Sequence, residues 1–309
     1  MIESIVKAKL PADEDLNILR NRLTGGTGKK RAAIVTGLHG DELEGQYVCF
    51  ELVRRLTAGI SCLNGTVDVY PSVNPLGMES VTRAVPMSGL DMNKVFPGSE
   101  TGAIAERVAA ELVRDISGAD VCIDIHASNI FIREVPQVRI SVENSSHLLR
   151  YAKLLNTDFV WVHDSNAVGE GSLSQTLNKI GVPTLVIEMG VGQRITKAYC
   201  EQLIRGIFRL FSDMGIWTGE TETVSHPMVS TDGAVKVIHA GESGIFIPSA
   251  EHNMWVSRGT VIGEIVTPVS GTVEQEITAP SDGLIFSLRE YPIVYEGSVI
   301  ARILSMGEE

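Results

Sequence analysis

Ala32-Ala33-Ile34-Val35 is an apolar run entered from Lys29-Lys30-Arg31 and left through Thr36-Gly37, so it reads as a buried strand that ends in a turn. The next residues, Leu38-His39-Gly40-Asp41-Glu42-Leu43-Glu44-Gly45, lead into an apolar-periodic segment through Tyr47, Val48, Phe50, Leu52 and Val53. The spacing predicts a helix from Glu42 to Leu56. His39 then stands just past a strand, Glu42 stands in the first helical turn, and imidazole and carboxylate converge on one point. A zinc ion takes two of three protein ligands in this way and keeps a fourth position for water. The pair also fits a second description, with His39 capping the helix and Glu42 complementing its dipole. By itself the motif leaves both open.

The same pattern of a short apolar run closing on polar residues recurs. Gly65 to Tyr70 reads as a strand stopped by Pro71. Ile104, Val108, Leu112 and Ile116 recur every four residues, which predicts a helix. Val121 to Ile125 is nearly all apolar, as in a central strand covered on both faces, and His126 stands at its end. Asp158–Val162 and Thr184–Glu188 repeat the pattern with a helical stretch, Gly171–Ile180, between them. Residues 2 to 10 alternate weakly, as an edge strand would, and Leu16–Leu23 is too short and polar to assign. The first part of the chain is thus expected to be α/β, a sheet flanked by helices. Ligands of such sheets gather beyond the carboxyl ends of the strands, where His39, His126 and Glu188 all fall. Residues 71 to 101 lack a clear period and are rich in Gly and Pro; irregular chain of that length inside a domain is usually functional, and substrate contacts are expected there.

Beyond about residue 220 helical periods stop, and short Val/Ile strands alternate with Gly and Pro. Ser243-Gly244-Ile245-Phe246 through Val261-Ile262 parallels Asp282-Gly283-Leu284-Ile285 through Val299-Ile300, which implies a duplicated β-hairpin unit. The pattern resembles the barrel-sandwich halves of biotinyl and lipoyl carrier domains. Those carry a modified lysine, and no lysine follows Lys236 here. The expected organisation is therefore an α/β domain over residues 1–220 and an all-β, barrel-sandwich-like domain over 221–309 that serves as a structural cap.

At 309 residues the chain can bury a large core. Its formal charge of -12 argues against nucleic acid or an anionic membrane as partner. No apolar run is long enough to span a bilayer and no secretory leader is legible, so a cytoplasmic protein is expected. Cys49, Cys62, Cys122 and Cys200 are scattered without a C-x-x-C, which suggests reduced thiols used as small hydrophobes and excludes a Cys-rich zinc site.

His126 arrives from the sheet opposite the His39 loop and supplies a third candidate ligand; the alternative is a buried, hydrogen-bonded histidine. Glu188 follows Thr184-Leu185-Val186-Ile187, and apolar neighbours raise a carboxyl toward the range of a general base. The alternative there is an ordinary strand-end carboxylate.

Together His39-Gly40-Asp41-Glu42-Leu43-Glu44-Gly45, Asn74-Pro75, Arg83, Asp91-Met92-Asn93-Lys94-Val95-Phe96-Pro97-Gly98, Asp124-Ile125-His126 and Val186-Ile187-Glu188-Met189-Gly190 resemble the succinylglutamate desuccinylase and aspartoacylase family, which is related to the zinc carboxypeptidases. The resemblance runs over roughly residues 30 to 309 and implies a zinc-carboxypeptidase-like mixed sheet. It implies that His39, Glu42 and His126 hold one zinc per chain, that Glu188 takes a proton from the metal-activated water, that Arg83 stabilises the oxyanion, and that Asp91 orients His39. A turn-forming Asp91 is the alternative to the last of these. Asn93 and Lys94 match an Asn-Arg pair that grips a substrate carboxylate, but lysine offers one mobile charge where arginine offers a rigid fork, so bidentate recognition is lost. A solvated Lys94 is the alternative. Glu170 and Ser172, in the Gly169-Glu170-Gly171-Ser172 loop, are candidates for contacts to a substrate amine or hydroxyl.

The expected activity is zinc-dependent hydrolysis of an amide bond in an N-acylated amino acid or small amine. A metallopeptidase of the carboxypeptidase type and a non-catalytic zinc-binding scaffold are the alternatives. The expected partner is a small-molecule N-acyl substrate, and self-association into a homo-oligomer is left open.

Overall fold

The computed structural model describes residues 1–164 and 171–305. The chain opens with strands β1 (Ile2–Lys9), β2 (Asp15–Gly25) and β3 (Arg31–Thr36), then α1 (Glu44–Ala58), β4 (Gly65–Tyr70), α2 (Pro75–Ser80) and α3 (Ile104–Ile116). It continues through β5 (Val121–Ala127), β6 (Ile132–Ser141), α4 (Ser145–Ala152), β7 (Phe159–His163), α5 (Leu173–Lys179), β8 (Thr184–Gly190) and α6 (Lys197–Asp213). The rest is β9 (Met228–Thr231), β10 (Val235–His239), β11 (Gly244–Pro248), β12 (Met254–Val256), β13 (Val261–Thr267), β14 (Thr272–Thr278), β15 (Gly283–Arg289), β16 (Ile293–Val294) and β17 (Val299–Ser305).

The sheet that positions the site runs β1-β2-β4-β3-β5-β8-β6 and then on through β15, β17 and β10. Strands β4, β3, β5 and β8 are mutually parallel, while β2 and β6 close that group antiparallel on either side. The apolar runs of β3 and β5 are explained by cover on both faces. Ile34, Val67, Ile123 and Ile187 pack with Val48 and Leu52 of α1 and Leu203 and Ile207 of α6; Ala33, Val35 and Cys122 pack with Val108 and Leu112 of α3 and Leu177 of α5. The segment 71–101 holds little beyond α2 and a single 3-10 turn, Met92–Lys94. β1 is the edge strand that its weak alternation predicts, and β2, unassigned from sequence, is an 11-residue strand whose alternating burial puts Leu16 and Ile18 in the core. Cys49, Cys122 and Cys200 are buried free thiols, and burial pushes the Cys49 thiol up to about 12, as suits a small hydrophobe. Among the described residues no helix is long and apolar enough to cross a membrane.

β6 forks. Along one edge it pairs with β8; along the other its first residues, Ile132–Glu134, pair with β15, and its last, Gln137–Ser141, pair with β7. A register shift between Glu134 and Gln137 marks a bulge at Val135-Pro136.

The repeat read in the last ninety or so residues is visible as a reciprocal exchange. β11 pairs with β13 of its own unit and with β16 of the other; β15 pairs with β17 of its own unit and with β12 of the other. The registers match as well, Gly244 opposite Val294 and Gly283 opposite Val256. A Cβ at Gly244 would lie 2.7 Å from the Val266 carbonyl oxygen, and one at Gly283 2.3 Å from that of Leu304, so the same close approach occurs twice. Phe246, Ile262, Ile265, Ile285, Ile300 and Ile303 fill the core between the units. A four-stranded antiparallel sheet, β14-β13-β11-β16, forms one layer, and β15 and β17 carry the other into the main sheet.

Candidate metal centre

β3 ends at Thr36, and Gly37 turns the chain with φ +69°, a left-handed conformation that L side chains rarely adopt. The loop that follows is pinned to the irregular segment. The Gly37 carbonyl accepts the Asn74 N–H at 2.7 Å and the Gly40 N–H reaches the Thr82 carbonyl at 3.1 Å. α1 starts at Glu44, two residues later than the spacing predicts, with Leu43 at the N-cap. Glu44 is therefore the acid of the first turn, and its carboxylate accepts the Thr196 N–H at 2.7 Å at the start of α6. Glu42 stays in the turn, free to point inward with His39.

The third side chain comes from β5. His126 is near the carboxyl end of that strand, and all three residues are buried, each 3% exposed or less. His39 Nδ1 lies 2.7 Å from Glu42 Oε1, His126 Nδ1 lies 2.9 Å from Glu42 Oε2, and the two Nδ1 atoms are 3.3 Å apart. The far nitrogen of each ring faces another carboxylate: His39 Nε2 donates to Asp91 Oδ1 at 2.9 Å, and His126 Nε2 is 3.2 Å from Asp124 Oδ1. The hydrogen bond from His39 holds the Asp91 carboxyl down at about 2, partly opposed by burial. Burial pushes the Glu42 carboxyl up, but His126 and His39 pull it below the usual carboxylate range.

This donor set fits a divalent cation. With the His39 Nε2–H given to Asp91 and His126 Nε2 within ion-pair distance of Asp124, the two Nδ1 atoms are left to present lone pairs to the same small volume as the Glu42 oxygens. Balancing the carboxylates with protons alone would need two imidazolium rings with N–H groups head to head at 3.3 Å. One dication replaces both protons. The three ligand atoms all lie within 4.8 Å of one another, the spread that a His2Glu site requires. Asp124, fully buried, has no hydrogen-bond partner on either oxygen among the described residues, and its ion-pair partner is the His126 ring.

Glu188 pairs with His126 across β5 and β8, so both side chains leave the sheet on the same face. Burial raises its carboxyl, and Arg139 and His126 pull the other way without cancelling the rise. Arg83 Nη1 donates to Glu42 Oε1 at 2.7 Å. Glu42, Arg83 and Glu188 together line an open cavity of about 380 Å³, with Ala127, Ser128, Asn129, Glu134, Arg139 and Arg302 as its other walls.

Of the residues singled out from sequence, His39, Glu42, His126, Asp91, Arg83 and Glu188 come together. Asn93 and Lys94 form part of the Met92–Lys94 turn; the Asn93 side chain accepts the Leu173 N–H at 3.0 Å, Lys94 is exposed, and neither lines that cavity. Ser172 caps α5, its hydroxyl accepting the Gln175 N–H at 3.2 Å, and Glu170 lies outside the described residues.

The sequence assigns no role to Asp124, Glu134, Arg139 or Arg302, which also stand at the site. Asp124 was legible in principle, two residues before His126 on a strand and so on the same face. Glu134 was not, because the bulge turns it to the side of Gln137 and Arg139, where Arg139 Nη2 donates to it at 2.8 Å and Gln137 at 3.0 Å. Replacing Asp124 by Asn should weaken metal affinity by about 10–100-fold, the usual cost of removing a carboxylate behind a ligating histidine. Chelator competition measures it, and unchanged affinity would leave Asp124 a packing residue.

Comparison with known proteins gives the chain a family. Residues 28–213 match the model of the succinylglutamate desuccinylase/aspartoacylase catalytic domain. N-alpha-acetyl-L-2,4-diaminobutyric acid deacetylase of Halomonas elongata is 25% identical over 291 residues, 91% of this chain and 84% of that protein. Two solved structures share the fold: a succinylglutamate desuccinylase/aspartoacylase from Rhodobacter sphaeroides (TM-score 0.83, 22% identity, 100% of this chain and 96% of that one), and the product-bound ectoine utilization protein EutE of Ruegeria pomeroyi (TM-score 0.84, 20% identity, 99% and 95%). With a match across well over half its length, this chain belongs to the succinylglutamate desuccinylase/aspartoacylase family.

Proposed function

We propose that the protein is a zinc-dependent hydrolase of a small N-acylated amino acid or amine, with His39, Glu42 and His126 as the metal ligands and Glu188 as general base. The observation that carries this reading is the convergence of two imidazole Nδ1 atoms and one carboxylate on a single point, with Glu188 beside them on the same face of the sheet. The diaminobutyrate-type deacetylase among its relatives supports the N-acyl amino acid class. Two histidines and one glutamate with an open position are a common catalytic zinc set.

When bound, zinc would polarise the amide carbonyl and acidify water. The chain's own residues do the rest. Glu188, neutralised in part by Arg139, accepts a proton from the attacking water and returns it to the leaving nitrogen. Arg83 leans on Glu42 in this arrangement and is a cationic group on the cavity wall, beside the site of the metal ligands, that can meet negative charge on the carbonyl oxygen. Asp91 holds the His39 ring by its far nitrogen, and Asp124 stands as the counter-ion of the His126 ring.

The division into residues 1–220 and 221–309 belongs to the same proposal, supported by a family match that stops at residue 213 and by the reciprocal pairing beyond it. So do the kinship of the first part with zinc carboxypeptidases and the barrel-sandwich form of the second. Incubation with N-acetyl, N-succinyl and N-formyl amino acids beside C-terminal dipeptides tests the function. Release of free amino acid from the acyl compounds and not from the peptides is expected; cleavage of the peptides alone would make it a metallopeptidase.

A further inference from the structure

The segment expected to be only a cap also supplies part of the cavity wall. Arg302 on β17 reaches 168 residues back along the chain to Glu134, its Nη1 lying 2.5 Å from Glu134 Oε1 and 3.2 Å from Ser287 Oγ. Glu134 does not rest on it alone. Its other oxygen receives Arg139 at 2.8 Å and Gln137 at 3.0 Å, so a second arginine and an amide share this buried carboxylate with Arg302. Arg302 keeps donors to spare. Its guanidinium offers five N–H donors, of which Glu134 and Ser287 occupy one nitrogen, and about a quarter of the side chain is exposed at the cavity it lines. Arg139, its neighbour on Glu134, lies with its guanidinium carbon 5.3 Å from the centre of the Trp161 ring and keeps a buried, unpartnered Nε.

The wall is rich in arginine. Arg83, Arg139 and Arg302 stand against Glu42, Glu134 and Glu188, so the lining is neutral, and a held dication would balance Asp91 and Asp124 behind the two histidines. The guanidinium donors left over on this wall suit a carboxylate. Lys94, the residue that the family pattern nominates for a carboxylate, is exposed and outside the lining.

We propose that Arg302, seated on Glu134 beside Arg139, binds a carboxylate of the substrate and so determines its class as an anionic N-acyl compound. The inference rests on the hydrolase reading for its substrate but not for its binding test. The carboxylate sits either on the amine side, as in an N-acetyl amino acid, or on the acyl side, as in an N-succinyl amine.

The experiment compares wild type, Arg302→Met and Arg302→Lys on N-acetyl-L-alanine, N-acetyl-L-alaninamide and N-succinyl-L-alaninamide, with succinate binding by calorimetry as a readout independent of turnover. Arg302→Met leaves Glu134 Oε2 paired with Arg139 and Gln137 while freeing Oε1, and thermal melts check the fold. In wild type one of the two carboxylate substrates should exceed the neutral amide in kcat/KM by about tenfold or more, and which one does so tells on which side the anion sits. Arg302→Met should erase that preference through KM, with kcat within a few-fold, and weaken succinate binding at least about tenfold; Arg302→Lys should recover part of both. A purely structural tie would move the melt and leave the preference intact, and that result overturns the inference. If Arg302→Met does not fold, Arg302→Lys decides, since a lost fork must lower the preference. Arg302-dependent succinate binding without hydrolysis of any acyl compound would refute the hydrolase reading and keep this one; hydrolysis with a preference indifferent to both variants does the reverse.

Discussion

Replacing Glu188 by Gln should lower kcat by about 10²–10⁴-fold, the range general acid-base groups contribute, while metal content stays at the wild-type level. The amide fills the same space and keeps a hydrogen bond within reach of Arg139, which lies 3.4 Å away, but it cannot accept a proton. The pH profile adds a second signature. A base works deprotonated, and burial raises the Glu188 carboxyl above its ordinary value despite Arg139 and His126. Wild-type activity should therefore fall as pH drops through a value above the ordinary glutamate range, and the residual rate of the variant should lack that limb. Activity within a few-fold of wild type would assign the base to another residue.

His126→Ala should abolish activity and take metal from about one ion per chain to almost none, because a site of three protein ligands rarely survives with two. The substitution strips the Nδ1 ligand and also removes the ion-pair partner of Asp124, leaving a buried carboxylate uncompensated. Reduced thermal stability should accompany the loss. Metal analysis of the purified variant gives the decisive number: a stoichiometry equal to wild type would mean that His126 is no ligand.

Much of this site is written locally. His39 and Glu42 are three residues apart, and His126 and Glu188 each close an apolar run, so strand ends predict where they meet. Arg83 and Asp91 come from the long irregular segment where functional chain was expected. What stayed illegible depends on pairings remote in sequence. Glu134 faces the cavity only because a bulge shifts the register of β6, and Arg302 arrives from a strand that joins the sheet through the fork in β6. No periodicity carries such information. The start of α1 slipped by two residues for a simpler reason: Leu43 occupies the N-cap with no side-chain bond to mark it. α6 received no assignment, although Leu203, Ile204, Ile207 and Phe211 line one buried stripe.

With Arg302 as the proposed selector, the reciprocal exchange between the two C-terminal repeats ties selectivity to cooperativity. Since β12 belongs to one repeat but pairs in the other, and β16 the reverse, neither half can open without unzipping its twin. The strand that bears Arg302 is stitched into this interlock by β15 and β10. Substitutions that loosen Phe246 or Ile265, core residues that do not line the cavity, would then be inherited as altered substrate choice before they registered as lost catalysis, so in this fold drift of specificity can begin in the hydrophobic interior of the tail.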